Sequence, residues 1–382
     1  LEIGKIENRK SKIRVGIIFG GKSGEHEISL ASAQSVARAI DKDKYAVVMI
    51  GITKEGKWLI GEDVLSYLAA LSPTPLVVAE PAHDALAVRA SSAALELMPD
   101  GRVPSPLTLI DVAFPLVHGP FGEDGTLQGW LEMADIPYVG AGVTASAIGM
   151  DKVMMKTIFR AHDLPVVNWL MVLRREWRAQ PQAVIERIEK VLGYPCFVKP
   201  ASLGSSVGVS KARQRAELAR ALDVAAQYDR KLIVEWAVPH AREIECSVLG
   251  NDDPIASIPG EVIPRREFYD YVAKYASDSG TALVVPADVS PEVARTVQEM
   301  AIRAFRAIDA CGMARVDFFL ERDTNKLWIS EINTIPGFTS VSMYPRMWQA
   351  SGLGYTELID RLIQLALERY QDTRASKIAY EP

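Results

Sequence analysis

The residues best placed to do chemistry lie between Ala314 and Gly337, ARVDFFLERDTNKLWISEINTIPG. Two apolar-alternating runs, ARVDFFL and KLWISEIN, flank the polar segment Glu321 to Lys326, the pattern of an antiparallel hairpin. Symmetric pairing about Thr324 sets Asp317 opposite Glu331 and Arg315 opposite Asn333. The period of two turns these four side chains to one face and Val316, Phe318 and Ile332 to the other. Directly opposed Cβ atoms lie roughly 5 Å apart, where like charges repel. A hard divalent cation such as Mg²⁺ converts that repulsion into a set of carboxylate and amide oxygen ligands. The plain alternative is a solvated sheet face with Arg315 as a salt-bridge partner, and the hairpin alone does not choose between them.

Three further stretches bear on the choice. In Phe197 to Gly208, FVKPASLGSSVG, an apolar strand ends in Lys199, and two glycines bracket paired serines. Small residues let successive amides point at phosphate oxygens beside the lysine's point charge; the alternative is a flexible hairpin with a solvated lysine. The segment Arg266 to Tyr275 packs three tyrosines and a phenylalanine into a polar loop. Such a loop suits closing over a ligand, or docking onto its own domain, or both. Gly16 to Ser23, GIIFGGKS, satisfies the P-loop pattern, but Ile17, Ile18 and Phe19 are strand residues and leave no loop to wrap a phosphate. Gly20-Gly21 instead allow close backbone approach to a ligand or partner loop, offering Glu25 at a strand end, unless Glu25 is only a helix-start carboxylate.

The elements that must position these residues follow from periodicity. Strand Ile13–Phe19, helix Ile28–Ile40 and strand Tyr45–Ile52 make a βαβ opening of the doubly wound α/β kind. Pro73 to Pro106, rich in Pro, Ala and Ser, reads as a variable excursion. Asp111–Val117 is a buried strand, and the loop from His118 to Gly125 feeds a helix from Thr126. A helix over Ser146–Ala161 opens a second unit. Lys231–Val238 opens a third, which holds a long loop from Pro264 to Thr281, the helix Pro291–Ala310 and the hairpin. Thr356–Tyr370 closes the fold, and the last dozen residues read as a frayed tail.

Composition excludes several classes. At 382 residues, two or three domains are expected. A net charge of −5 provides no basic footprint for nucleic acid or an anionic membrane surface. Cys196, Cys246 and Cys311 show neither disulfide nor zinc spacing and read as buried thiols in a reducing compartment. No apolar run approaches the ~20 residues of a membrane span. The opening LEIGKIENRKSK lacks a signal peptide's apolar core and reads as a trimmed or appended tail, so a cytoplasmic enzyme is expected.

In order along the chain, GGKSGEHEISL, HGPFGEDG, VKPASLGSSVGVSK, EFYDYVAKY, ARVDFF and EINTIPGFTSVSMYP resemble the motifs of D-alanine–D-alanine ligases of the ATP-grasp superfamily. The resemblance runs from about Arg14 to Leu367, apart from the excursion. It implies an α/β fold, α+β towards the C-terminus, in three domains. These are a doubly wound N-terminal domain (13–140), a central ATP-grasp domain (141–234) and a C-terminal ATP-grasp domain (235–370) with lid 264–281, between tails 1–12 and 371–382.

The resemblance also implies roles. ATP lies between the central and C-terminal domains, with Lys152 and Lys199 on its phosphates and Gly204, Ser205, Ser206 and Gly208 as the phosphate loop. Glu235 resembles the acid beside the adenine and Glu243 the one on the ribose, although the intervening WAVPHAR is slightly longer than usual. Asp317, Glu331 and Asn333 match the ligands of two Mg²⁺ (or Mn²⁺) ions, and Lys274 and Tyr275 match lid residues over the γ-phosphate and substrate. Glu25 matches the group on the first D-alanine's ammonium, Arg315 and the Gly337 amide the oxyanion donors, and Ser342 the contact to the second D-alanine's carboxylate. The implied partners are D-alanine, ATP and a second copy of the chain, without nucleic acid or membrane.

Physical logic agrees. A carboxylate is a poor electrophile, so joining it to an amine needs a leaving group, which phosphoryl transfer from ATP supplies. A positively charged donor and a backbone N–H then stabilise the tetrahedral oxyanion, and a lid keeps water from the acyl phosphate. The rival within the class is a D-alanine–D-lactate ligase; Tyr275, hydrogen-bonded to Ser205, would order the lid and favour an amine nucleophile. A non-catalytic nucleotide or amino-acid binding protein would lack the oxygen ligands, lysines or arginine, and all are present. A Rossmann dehydrogenase would need G-x-G-x-x-G after the first strand, which is missing.

Overall fold

The run IRVGIIFG forms β1 (Ile13–Gly20), buried from Val15 onward, as a strand covered on both faces must be. Helix α1 (His26–Ala39) carries the chain to β2 (Tyr45–Ile52), parallel to β1. Sequence periodicity missed the short edge strand β3 (Trp58–Ile60) and helix α2 (Val64–Ala70). Strand β4 (Val112–Pro115) pairs parallel with β1 on its other side, and α3 (Thr126–Met133) follows. The order β3-β2-β1-β4 therefore reverses at β1, whose carboxyl end is a topological switch point. Gly20 sits there with φ +90, and a Cβ on it would meet the Ile52 carbonyl oxygen at 2.2 Å. The close approach allowed by the glycine pair is thus to a neighbouring strand end, with Gly21 N–H donating to Ile52 O at 2.8 Å.

The computed structural model describes residues 12–61, 63–71, 110–264 and 281–377. The excursion 73–106 and nearly all of the lid, Lys274 and Tyr275 included, lie outside the described residues.

The helix expected over Ser146–Ala161 is two helices, α4 (Val143–Met150) and α5 (Lys152–Ala161). Asp151 interrupts them because its carboxylate accepts from the Val153 and Met154 N–H groups, both at 3.1 Å, capping α5. Strand β5 (Trp169–Leu173), helices α6 (Arg174–Ala179) and α7 (Pro181–Val191), strands β6 (Cys196–Pro200) and β7 (Ser210–Ala212), helix α8 (Arg215–Tyr228) and strand β8 (Lys231–Trp236) follow. They build an antiparallel sheet, β5-β8-β6-β7, whose core joins Val172, Val198 and Val234 to Ile188 and Leu222 of the helices. Strand β8 was expected to open the third unit. It pairs instead along its whole length with β5 and β6, across the expected boundary at 234/235.

The largest sheet has the order β12-β11-β9-β13-β14, built from β9 (Ala241–Gly250), β10 (Ile255–Ala256, on β9), β11 (Gly260–Ile263), β12 (Ala282–Val284), β13 (Gly312–Glu321) and β14 (Leu327–Asn333). Helix α9 (Pro291–Ala307) covers one face, burying Val297, Ala301 and Phe305 against Ile244, Val248, Val316 and Phe318. Two helices end the chain, α10 (Met343–Ala350), unforeseen, and α11 (Tyr355–Arg374), which runs past the expected end at 370. The core of α11 is the first sheet's: Leu358, Ile359, Leu362 and Ile363 pack with Val15, Ile17, Phe19 and Phe114. Tyr45 OH donates to Asp360 at 2.7 Å, and Arg369 donates to Tyr138 O at 3.0 Å, so the last helix clamps the first unit.

Candidate active site

Asp317 pairs with Glu331 and Arg315 with Asn333, the register symmetry demanded. Below that pair the register slips by one, so that Phe318 opposes Ile329 and Ser330 becomes the extra residue of a β-bulge. Simple symmetry did not foresee the slip. Its consequence is steric: Ile329 and Ile332 both enter the core, while Ser330 and Glu331 both stay on the open side.

That open face is one wall of a cleft of about 800 Å³ that opens to solvent, and its other wall is the central sheet. From the hairpin side come Arg315, Asp317 and Glu331, from β9 Glu243 and Glu245, and from the facing side Lys152, Lys199 and the loop Gly204-Ser205-Ser206. Asn333 lines an adjoining cavity of about 340 Å³, shared with Lys152, Gly204, Glu331 and Glu123. Ten of the residues singled out from sequence thus face one connected space.

Charge there is arranged in pairs. Arg315 donates from Nε and Nη2 to the two Asp317 oxygens, each at 2.7 Å, and its Nε lies 3.1 Å from Glu245. Burial disfavours its charge, but Asp317 and Glu245 outweigh that and hold its pKa well above the ordinary arginine value. Asn333 donates to Asp317 at 3.0 Å. Lys152 Nζ donates to Leu203 O at 2.9 Å and lies 3.4 Å from Glu331, tying the start of α5 to both the loop and the hairpin.

The loop itself is held open by backbone geometry. Ser205 and Ser206 adopt φ +50 and +58, left-handed conformations that close the turn, with Val207 N–H donating to Gly204 O at 3.2 Å. Gly208 lies off the cleft; with φ +71 it permits the turn, and a Cβ there would press on Tyr228 at 2.7 Å. Ser205 Oγ donates to Glu25, which opens α1 at the switch point, so a side-chain bond joins the first unit to this loop.

Glu235, Gly337 and Ser342 lie outside the two cavities. Glu235 is buried below the cleft, with Oε1 3.0 Å from Lys156 Nζ and Oε2 2.6 Å from Lys199 Nζ. Burial alone would push this carboxyl up, yet the two lysines bring it from 4.5 to about 2. Gly337 and Ser342 lie in the turn leaving β14, where Ser342 Oγ accepts from Thr339 N–H at 3.1 Å and shares a 2.7 Å bond with Thr339 Oγ1. This turn is fixed from the first unit: Phe338 N–H donates to Ser32 Oγ at 3.3 Å, and His118 bridges Ser32 at 3.2 Å and the Ile335 carbonyl at 3.0 Å.

Family models described as D-ala D-ala ligase N-terminus and C-terminus match residues 14–141 and 158–364. The chain belongs to the D-alanine–D-alanine ligase family. It is 50% identical over 365 residues to the D-alanine–D-alanine ligase of Heliobacterium modesticaldum, covering 94% of this chain and 96% of that protein. It is also 50% identical to that of Geobacillus kaustophilus, over 94% and 96%. Among solved structures, the D-alanine–D-alanine ligase from Coxiella burnetii matches with a TM-score of 0.76 at 38% identity, over 95% of this chain and 98% of that one. The VanG D-Ala:D-Ser ligase from Enterococcus faecalis matches at 0.77 and 31%, over 93% and 100%. The ATP-grasp fold and the ligase class expected from sequence are those of the molecule.

Within this ligase, sequence reading passed over Lys156, Glu245, Glu123, Ser32 and the bridging role of His118. Two of them had local signals. Lys156 lies four residues after Lys152, on the same helix face, and Glu245 two after Glu243, on the same strand face. Among the described residues no helix is long and apolar enough to cross a membrane.

Proposed function

We propose that the chain joins two D-alanines into D-alanyl-D-alanine, converting ATP to ADP and phosphate through a D-alanyl phosphate intermediate. The observation that carries this reading is a single cleft with lysines and a small-residue loop on one wall and Arg315 beside opposed carboxylates on the other. The first D-alanine's carboxylate attacks the γ-phosphorus and ADP leaves; the second D-alanine's amine then attacks the acyl carbon, and phosphate and a proton depart. Lys152, Lys199 and the 204–206 amides hold the phosphates, Glu243 the ribose, with the buried Glu235 beside the adenine, and Glu25 holds the first ammonium. Arg315 and the Gly337 amide receive the tetrahedral oxyanion, and Ser342 orients the acceptor's carboxylate. Lys274 and Tyr275 complete the role set as lid groups over the γ-phosphate and substrate.

Asp317, Glu331 and Asn333 supply hard oxygen donors on one face, where Arg315 and Lys152 leave one of the three negative charges of Asp317, Glu331 and Glu245 uncancelled. They would hold the divalent ions, two Mg²⁺ or Mn²⁺ on this reading, which when bound offset charge on the transferred phosphoryl group. The same reading extends to a cytoplasmic, homodimeric enzyme of peptidoglycan precursor synthesis, and the three free cysteines support a reducing compartment.

The test is product identification with ATP, Mg²⁺ and D-alanine, alone and mixed with D-lactate or D-serine. Phosphate release with D-alanyl-D-alanine as the main product at neutral and alkaline pH is expected. Dominant ester or mixed dipeptide would overturn the acceptor assignment, and no phosphate release would overturn the reaction.

A further inference from the structure

Lys156 has no exposed surface and lines neither cavity. Its ammonium lies 3.0 Å from Glu235, donates to Ser330 O at 3.0 Å and reaches Ile329 O at 3.5 Å. Ser330 and Ile329 are the two residues of the step at which the β14 register slips. One buried cation therefore touches both the acid below the nucleotide wall and the backbone step that keeps Glu331 on the open face. Without the slip, alternation would send either Ser330 or Glu331 into the core. A buried charged cluster is weak support for stability, since a well-packed apolar side chain of similar size often does as well. Lys156 needs another reason to be there.

We propose that Lys156 is a positioning residue that couples the nucleotide half of the cleft, through Glu235 and Lys199, to the metal half, through the Ser330 bulge and Glu331. The proposal rests on the ATP-dependent reading above. Without the ammonium, Glu235 retains only Lys199 as a partner and draws it away from the phosphates, while the bulge carbonyls lose their buried donor and the register loosens.

The test compares wild type with Lys156→Met, Lys156→Arg and the double variant Lys156→Met/Glu235→Gln, by calorimetric ADP binding with and without Mg²⁺ and by steady-state kinetics. In Lys156→Met, ADP binding without metal should weaken at least fivefold and the tightening produced by Mg²⁺ should largely vanish. KM for ATP should rise tenfold or more, with KM for D-alanine within twofold. Lys156→Arg should recover part of the Mg²⁺ effect. Should Lys156→Met fail to fold, the double variant, which leaves no unpaired buried acid, should fold and still lack the Mg²⁺ enhancement. Mg²⁺ enhancement at the wild-type level in either Met variant, or KM values that rise equally for both substrates, would overturn the coupling. A wild-type chain that binds no ADP would overturn the ATP-dependent reading itself, and the coupling with it.

Discussion

Lys156, Glu235 and Lys199 lie below one wall of the cleft, each Glu235 oxygen against a lysine, with the glutamate side chain only 3% exposed. Asp317, Glu331 and Glu245 stand on the other wall around Arg315, with Lys152 reaching across to Glu331, and Asp317 and Glu331 are 16% and 28% exposed. Lys156 and Glu235 are dry and neutralise each other, and the surplus positive charge sits on Lys199, 14% exposed at the cleft; the second group carries one surplus negative charge and is partly wet. A buried cluster must neutralise itself almost completely, because water is not there to do it. A half-exposed one can hold a surplus that only a ligand cancels. The cleft is thus polarised before any ligand arrives: its lysine wall suits phosphate oxygens, and its carboxylate wall suits a cation beside them.

The contrast predicts opposite phenotypes for charge removal on the two walls. On the carboxylate wall, Asp317→Asn or Glu331→Gln should lower turnover roughly a thousandfold, the several kcal/mol that a divalent ion supplies to phosphoryl transfer. Glu331→Gln should hardly move the melting temperature, since the amide relieves repulsion between opposed acids, whereas Asp317→Asn also breaks the two-point pair with Arg315 and should lower it. Phosphate-release assays and calorimetry check both halves, and near-normal turnover in both variants would reduce the face to a solvated sheet. On the lysine wall, Glu235→Gln strands a buried ammonium and should cost about 3–5 kcal/mol of stability. Its acid limb should change too. The wild-type carboxyl, held near 2 instead of 4.5, contributes stability above 4.5 that is lost as pH falls towards 2. Urea midpoints measured from pH 5 to pH 2 should therefore fall less steeply in Glu235→Gln than in wild type; parallel curves would mean that Glu235 is not ionised against the lysines.

The carboxylate wall was legible in the sequence because a hairpin's alternation is local: residues two apart share a face, and the turn fixes the opposition. Even the bulge left a trace, since Ser330-Glu331 sit as two successive polar residues between Ile329 and Ile332. The lysine wall was legible only in part. Lys199 stood at a strand end beside glycines, but its tie to Glu235 and Lys156 joins three elements, and no periodicity encodes such a meeting. The same holds for α11 on the first sheet, whose Asp360 meets Tyr45 across most of the chain, and for β8, whose apolar run KLIVEW would suit either neighbouring sheet. Asp151 failed differently: an acid within a helical pattern reads as a solvated face until its cap bonds are seen.

Between the walls, Ser205 links the loop Gly204-Ser205-Ser206 to Glu25, and Ser205→Ala tests whether that link serves substrate or fold. The serine's left-handed backbone is supplied by the loop, and alanine inherits it, while the bond donated to Glu25 is lost. A hydrogen bond to a charged acceptor is worth about 1.5–3 kcal/mol, which sets the expectation of a tenfold or larger rise in KM for the first D-alanine. ADP affinity should stay within twofold. If ADP binding weakens as much as D-alanine binding, Ser205 shapes the loop rather than Glu25.

The smallest effect is expected at Glu123, in the adjoining cavity, and it runs opposite in sign to Glu235. Its carboxylate accepts from Gly119 N–H at 2.6 Å. Burial pushes its carboxyl up from 4.5 to about 8, and the Glu25 charge adds to the rise, with Arg315 opposing. A carboxyl raised in the folded state stabilises the fold fully below 4.5. Between 4.5 and about 8 the unfolded chain ionises while the folded one stays protonated, so stability declines with rising pH. Above about 8 both states are ionised and the slope ends. Glu123→Gln keeps the shape of a neutral carboxyl and cannot ionise, so its melting temperature should stay flat over the range in which wild type declines by a few degrees. Thermal scans from pH 5 to pH 9 decide the matter: parallel profiles for the two proteins would mean that Glu123 is ionised throughout, and that two carboxylates beside one another in the first unit are tolerated without a cation, unlike those on the hairpin.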